Sequence, residues 1–581
     1  MEDGTSGAGA RMRRTVICVL LAAPCAGGAQ EPDSLPAVEC TGQIVTAVDI
    51  VADPPSVVGR NSTGLRRTVG RALFAYQTTR PEVVHAFLLL RQGDACTELL
   101  RRESERVLRA QPFLSGATVR AVADSAGGGV RLEVTTVDEI HPVVGAGFGD
   151  GISSLKLGSV NVSGHGLNSV AQWRQGGAAY RDAFGVQLRK HGLFDRPLVA
   201  SLDLQRNVLG SNTAFSIALP FWSDAQRVAW SAGVQNDAVY RRFVREGGPD
   251  VSLRLDRTVW HAGGVTRVAG GPRGALAGIV ASREHADPAV NGVIVTEAGL
   301  EPDYSGALFE RYDPYTTFRL SAVLGVRLLT YMRAAGFDAL VAEQDVAKGL
   351  QVGALVGRGL PWFGADDEDN FLSLDVYGGA GTPRSFVGMR IEGEGRRADG
   401  ASQWSAIAAS GRLAWYLKAS ERRTIEASAE FSGGWRERLP LQLALGASRA
   451  GVRGFQGSSI AGGRRAVLRL EQRRAIGALT QYSHWGVAAF ADLGKTWAGS
   501  VPFGETTFGR ASVGAGMLVA VPARSRRMLR LDIAVPVTPG AEDNYVVRFG
   551  ATNRTRDFWR DPGDVVAARA AVAPSTIFGW R

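Results

Sequence analysis

Beyond its first thirty positions the 581-residue chain holds no run of about 18 apolar residues, so no helix of it can cross a bilayer. Charged residues are only 21% and no repeat of fixed period is visible, which excludes a coiled coil and a charged disordered chain. There is no basic block. The net charge of +10, from 66 Lys+Arg against 56 Asp+Glu, is spread along the chain, so nucleic acid is not an expected partner. Metal chemistry has no support: H-E-x-x-H is missing, and His85, His141, His165, His191, His261, His285 and His484 are too dispersed for local ligand spacing. Gly494-Lys495-Thr496 echoes the end of a phosphate-binding loop, yet Ala489 stands where its first glycine belongs. A nucleophile elbow is also lacking. No catalytic, cofactor-binding or metal residue is therefore assigned, and the chain is not expected to be an enzyme.

Cysteine is scarce, with four in the whole chain. Residues 1–29 have the order of a secretory signal peptide: Arg11, Arg13 and Arg14, the apolar run Val16 to Ala23, then Ala26-Gly27-Gly28-Ala29. Cleavage there removes Cys18 and Cys25. Cys40 and Cys96 remain in a compartment where disulfides persist, so one bridge and two separate buried thiols are both open readings. What is abundant is glycine, 73 residues or about 13% against a usual 7%, and arginine, which supplies nearly all the positive excess. Arginine suits phosphate-rich partners such as the headgroups of outer-membrane lipid.

Residues 40–139 read as a small α+β domain. Ile44 to Ile50 is a strand, and Thr79-Arg80-Pro81-Glu82 has capping-box spacing before a helix with Val84, Phe87 and Leu88 on one face. A second helix sets Leu100, Val107 and Leu108 against a charged face of Arg101, Arg102, Glu103, Glu105, Arg106 and Arg109. Val119 to Val122 and Val130 to Val137 are strands joined through Gly127-Gly128-Gly129. This order, with Arg91-Gln92-Gly93-Asp94, Arg102 to Arg109 and Gln111-Pro112-Phe113-Leu114, resembles a POTRA domain, the periplasmic module of outer-membrane assembly proteins. Residues 52–78 look like an insertion in it, and only one such domain is present where assembly and secretion members usually carry two to five.

From 142 to 555 the helical period gives way to ten-residue stretches of alternation between turn residues, the signature of a membrane β-barrel. Leu198, Ala200, Leu202 and Leu204 oppose Ser201, Asp203 and Gln205. Ile425, Ala427, Ala429 and Phe431 oppose Glu426, Ser428, Glu430 and Ser432, and Leu529, Leu531, Ile533 and Val535 oppose Arg530 and Asp532. At about ten residues each, sixteen strands fit, with long outer loops and short inner turns. Trp222, Trp435, Tyr482, Trp485 and Trp497 suit interfacial girdles. The expected fold is mainly β: a 16-stranded transmembrane β-barrel preceded by one small α+β POTRA-like domain.

Late in the chain come Gly451-Val452-Arg453-Gly454-Phe455, then Gly462-Gly463, Leu468 to Arg473, and Phe490-Ala491-Asp492-Leu493-Gly494. Together these resemble the BamA/TamA-type outer-membrane assembly and translocation superfamily. The resemblance implies that Val452, Arg453, Gly454 and Phe455 form the tip of an extracellular loop folded back into the barrel, with Arg453 held by Asp492. Glu471, on a lumenal face with Arg469 and Arg473, is the other acid in reach. It also implies insertion or translocation of polypeptides at the outer membrane without nucleotide hydrolysis, and no cofactor. The N-terminal domain would lie in the periplasm, offering an edge strand to unfolded clients and a face to accessory proteins. The alternative is an outer-membrane pore or structural barrel with a vestigial POTRA domain. Residues 556–581 continue past the superfamily's usual terminal strand; a short helix over Asp564 to Val572 is expected there.

Overall fold

The computed structural model describes residues 36–55, 77–124, 128–148, 152–176, 182–268, 274–366, 368–447, 450–480, 483–552 and 558–569. The signal-peptide residues 1–29, most of the 52–78 insertion, Gly127, Tyr482, and residues 553–557 and 570–581 around the C-terminal helix lie outside them.

The N-terminal unit is a four-stranded sheet in the order Ala95–Thr97, Thr41–Asp53, Val130–Asp138, Leu114–Ala123, the central pair parallel. Helices Pro81–His85 and Glu98–Arg109 pack on it through Val84, Phe87, Leu88, Val107 and Leu108, all at most 5% exposed. The expected capping box is absent. Thr79 spends its hydroxyl and its N–H on the two oxygens of buried Asp138, at 2.7 and 2.8 Å, so the first helix starts at Arg80 without a side-chain cap. The second is capped by Thr97, whose hydroxyl accepts from the Leu100 N–H. Cys40 and Cys96 are joined by a disulfide that ties the first strand to the short edge strand.

Strands from Pro142–Phe148 to Val546–Thr552 form a closed barrel. The ring includes twenty-two strands; Val293–Thr296 and Gly299–Pro302 form a hairpin beside two neighbours that pair directly, which leaves twenty staves among the described residues. This corrects the expectation of sixteen. Connections at the end away from the N-terminal unit include tight ones such as Val208-Leu209, and strands reach well beyond ten residues, so residues assigned to long outer loops are strand instead. Stave length runs from 7 residues in Pro142–Phe148 to 21 in Tyr315–Ala335.

Along the staves the faces separate by polarity. Leu324, Leu468, Leu470, Ile533 and Val535 point outward and are 42–53% exposed, while Glu426, Glu471, Arg473, Asp492 and Asp532 point inward and are at most 5% exposed. An apolar exterior around a charged interior is the arrangement of a membrane-spanning barrel.

Most of the charged face of the second helix is covered, with Arg102 left exposed. Glu103 and Arg106 are buried against the connection at 220–227: Ser223 donates to Glu103 at 2.8 Å and Arg106 to the Trp222 carbonyl at 2.5 Å. Arg109 grips Asp345 with two hydrogen bonds at 3.0 and 2.9 Å. Trp222, expected in a girdle, instead packs edge-on against Phe87 with ring centroids 5.5 Å apart. The domain thus caps one mouth of the barrel, the end that carries the short turns.

Candidate functional site

The strands Arg423–Trp435 and Arg464–Thr480 are hydrogen-bonded neighbours, yet residues 436–463 separate them. This loop turns into the lumen. Leu443–Ala444 pairs with Ala461–Gly462 as a small ribbon, and Leu445, Val452, Phe455 and Ile460 form an apolar knot against Val467 of the wall. Burying Val452 and Phe455 aims Arg453, the side chain between them, the other way, toward the charged wall.

There Arg453 Nε and Nη2 donate to the two oxygens of Asp492 at 2.8 and 2.7 Å, and its backbone N–H donates to the same carboxylate at 3.1 Å. The remaining arm donates to Glu471 at 2.9 Å, and the guanidinium lies 3.6 Å above the Phe490 ring. Only a planar fork satisfies two carboxylates and a ring face at once. Glu471 in turn accepts two bonds from Arg530, at 2.9 and 2.8 Å, and Arg530 also grips Asp532. Arg469 holds the loop backbone through the Gly451 carbonyl at 2.8 Å and pairs with Glu430. Arg473, on the same face, donates to Glu426 at 3.0 Å.

Glycines make the approach possible. Gly454 has φ +93°, a conformation side chains resist, and a Cβ on Gly494 would sit 2.3 Å from Val452 Cγ2. The expected site residues Val452, Arg453, Gly454, Phe455, Asp492 and Glu471 thus come together at one place. Arg530 and Asp532 belong to it as well, though sequence reasoning placed them only on an inward strand face. Their strand, Met528–Pro536, is separated from Asp492 by Arg510–Ala520, whose Ser512, Gly514 and Gly516 leave room for long side chains to cross. Small residues at alternate positions were the signal.

Each acid in this cluster is held by arginine. Among the described residues no group of three or more His, Cys, Asp or Glu is placed to hold a metal ion. The arrangement fixes a loop.

No family model and no curated protein matches the chain. Similar solved structures include CdiB from Escherichia coli, at 12% identity and TM-score 0.43 over 90% of this chain and 92% of that one. BamA from Haemophilus ducreyi lacking POTRA domains 1–3 is 11% identical over 87% of this chain and 85% of that one, with TM-score 0.36. CdiB from Acinetobacter baumannii is 10% identical, covering 88% and 74%, also at 0.36. What they share with this chain is the large β-barrel. At such identities the roles of its residues rest on its own geometry.

Proposed function

We propose that this chain is an outer-membrane protein that inserts or translocates polypeptides without nucleotide hydrolysis. The observation that carries the reading is the Arg453 clasp: the Val-Arg-Gly-Phe tip lies inside the lumen on the aspartate of Phe-Ala-Asp-Leu-Gly, the arrangement the superfamily resemblance implies. The N-terminal unit, read as a single POTRA-like domain in the periplasm, supports it. Its strand Leu114–Ala123 is outermost in its sheet; Ala37, Val38 and the side chains of Arg101 and Glu105 hold its outer edge, and an extended client that displaces them would add a strand there. The charged, loop-filled lumen argues against a constitutively open pore.

Deletion of residues 40–139 tests the reading. A heat-modifiable barrel should persist in the outer membrane while crosslinked client polypeptides, recovered by pull-down, disappear and their assembly fails. Unchanged client capture and client levels would sink the proposal in favour of a structural barrel.

A further inference from the structure

The C-terminal segment Phe558–Arg569 lies inside the barrel, where Asp561, Asp564 and Arg569 each meet side chains of opposite charge. Phe558 enters an aromatic nest of Phe337, Phe386 and Tyr416, and Trp559 stacks edge-on to Tyr377 at 5.9 Å. Gly388 makes the space, since a Cβ there would lie 2.9 Å from the Trp559 ring. Arg390 donates to the Trp559 carbonyl at 2.7 Å. Asp561 accepts from Ser410 and from Arg412, both at 2.6 Å, while Asp564 accepts from Arg465 at 2.7 Å. Arg569 lies between Glu392 and Glu394 and also donates to Ser410 at 2.9 Å, and Arg257 holds its carbonyl at 2.7 Å. Between these anchors the short helix Gly563–Ala568, shorter than the sequence suggests, seats Val565 against Leu441 and Leu443 of the inward loop.

We infer that the inner wall is a peptide-binding site, and that the C-terminal segment is its tethered ligand. The site takes a segment with two adjacent aromatic residues followed at three and six positions from the first by carboxylates, then a short helix ending in a cation. Arginine row and acidic pocket are fixed on strands Ser385–Ala398, Ser405–Ser420 and Arg464–Thr480, and the aromatic nest on Asp369–Gly381, Ser385–Ala398, Ser405–Ser420 and the connection at 336–342 that carries Phe337, so they belong to the barrel and not to the tail. Any free segment of that chemistry competes with the tail. The inference does not depend on whether clients pass through this barrel.

The test uses a chain ending at Thr552, refolded into detergent with a labelled peptide of residues 556–569. One peptide per barrel should be retained. Asp561→Asn in the peptide, or Arg412→Gln in the barrel, should weaken retention about tenfold or more, as expected for loss of a charge-assisted hydrogen bond. In the intact chain, which needs no truncation to fold, Gly388→Leu should evict the aromatic pair and expose the buried Arg569 bond to trypsin. A truncated barrel that folds and retains no peptide overturns the inference, as does retention indifferent to both charge changes. So does rapid tryptic cleavage at Arg569 in the unmodified intact chain.

Discussion

At Arg453 one side chain makes three hydrogen bonds from the inward loop to two acids of the wall. Its partners are nearly dry: Asp492 is 2% exposed and Glu471 1%. Arg453→Ala strands Asp492 with Arg469 as its nearest remaining cation, at 4.0 Å, while Glu471 keeps Arg530. Breaking a buried pair from one side costs about 3–5 kcal/mol, far above the roughly 0–1 kcal/mol of a surface pair. The loop is therefore expected to leave the wall, seen as faster protease cleavage within residues 450–463 from outside the cell with strand content unchanged. Arg453→Lys should restore protection only in part, because an ammonium cannot serve Asp492 through two bonds and Glu471 through a third. Exchanging Arg453 and Asp492 should also rescue only in part, since the new aspartate would face Glu471. If Arg453→Ala leaves cleavage unchanged, the apolar knot and the bonds from Arg469 and Arg465 to the loop backbone hold the loop without the clasp. The motif and its acid were legible from spacing and residue type. Arg530 was not, because a strand's own alternation says which side chains face inward but not that one of them reaches across the small residues of the neighbouring strand.

Among the elements, the second helix of the N-terminal unit shows where periodicity stops. Its apolar stripe was readable, and the opposite face was a plain row of charges, which sequence alone assigns to water. Here the row meets a second charged surface: Arg106 and Arg109 find Trp222 and Asp345 of the barrel. The seam between the two units also buries Glu139, to which Ser525 donates at 2.8 and 2.9 Å, while Arg527 donates to the neighbouring Ile140 carbonyl. Burial holds the Glu139 carboxyl above its usual range. A carboxyl whose folded value is raised contributes stability that is complete below the unfolded value, about 4.3, and is lost as pH rises through the folded value. The seam should thus loosen from about pH 4 upward. The rate of proteolytic release of the domain reports this, and Glu139→Gln, which keeps an acceptor for Ser525, should flatten that pH dependence. Identical pH profiles for the two proteins would remove Glu139 from the account.

For the whole molecule, twenty staves set a problem that sixteen would pose less sharply. Barrels of 16–18 strands already leave an aqueous channel, and wider ones are plugged. Alternation told inside from outside on stave after stave, as Glu426 and Ile425 show, but it carries no count, because a long loop and an added hairpin consume residues alike. It also could not reveal that three separate segments fill the interior: the N-terminal domain at one mouth, the tail at Phe558–Arg569, and the loop around Arg453. A cavity of about 220 Å³ lined by Arg106, Tyr331, Asp345, Tyr377 and Trp559 lies between the domain and the tail, so these are distinct obstructions along one path. Obstructions in series add as resistances, and the tightest one dominates. Removing residues 40–139 alone, or the tail alone, should therefore raise single-channel conductance in planar bilayers only modestly. Removing both and adding Arg453→Ala should raise it by much more than the sum of the separate gains. Gains that merely add, or a single deletion that yields the full open conductance, would mean that one segment alone closes this barrel and the others lie beside the path.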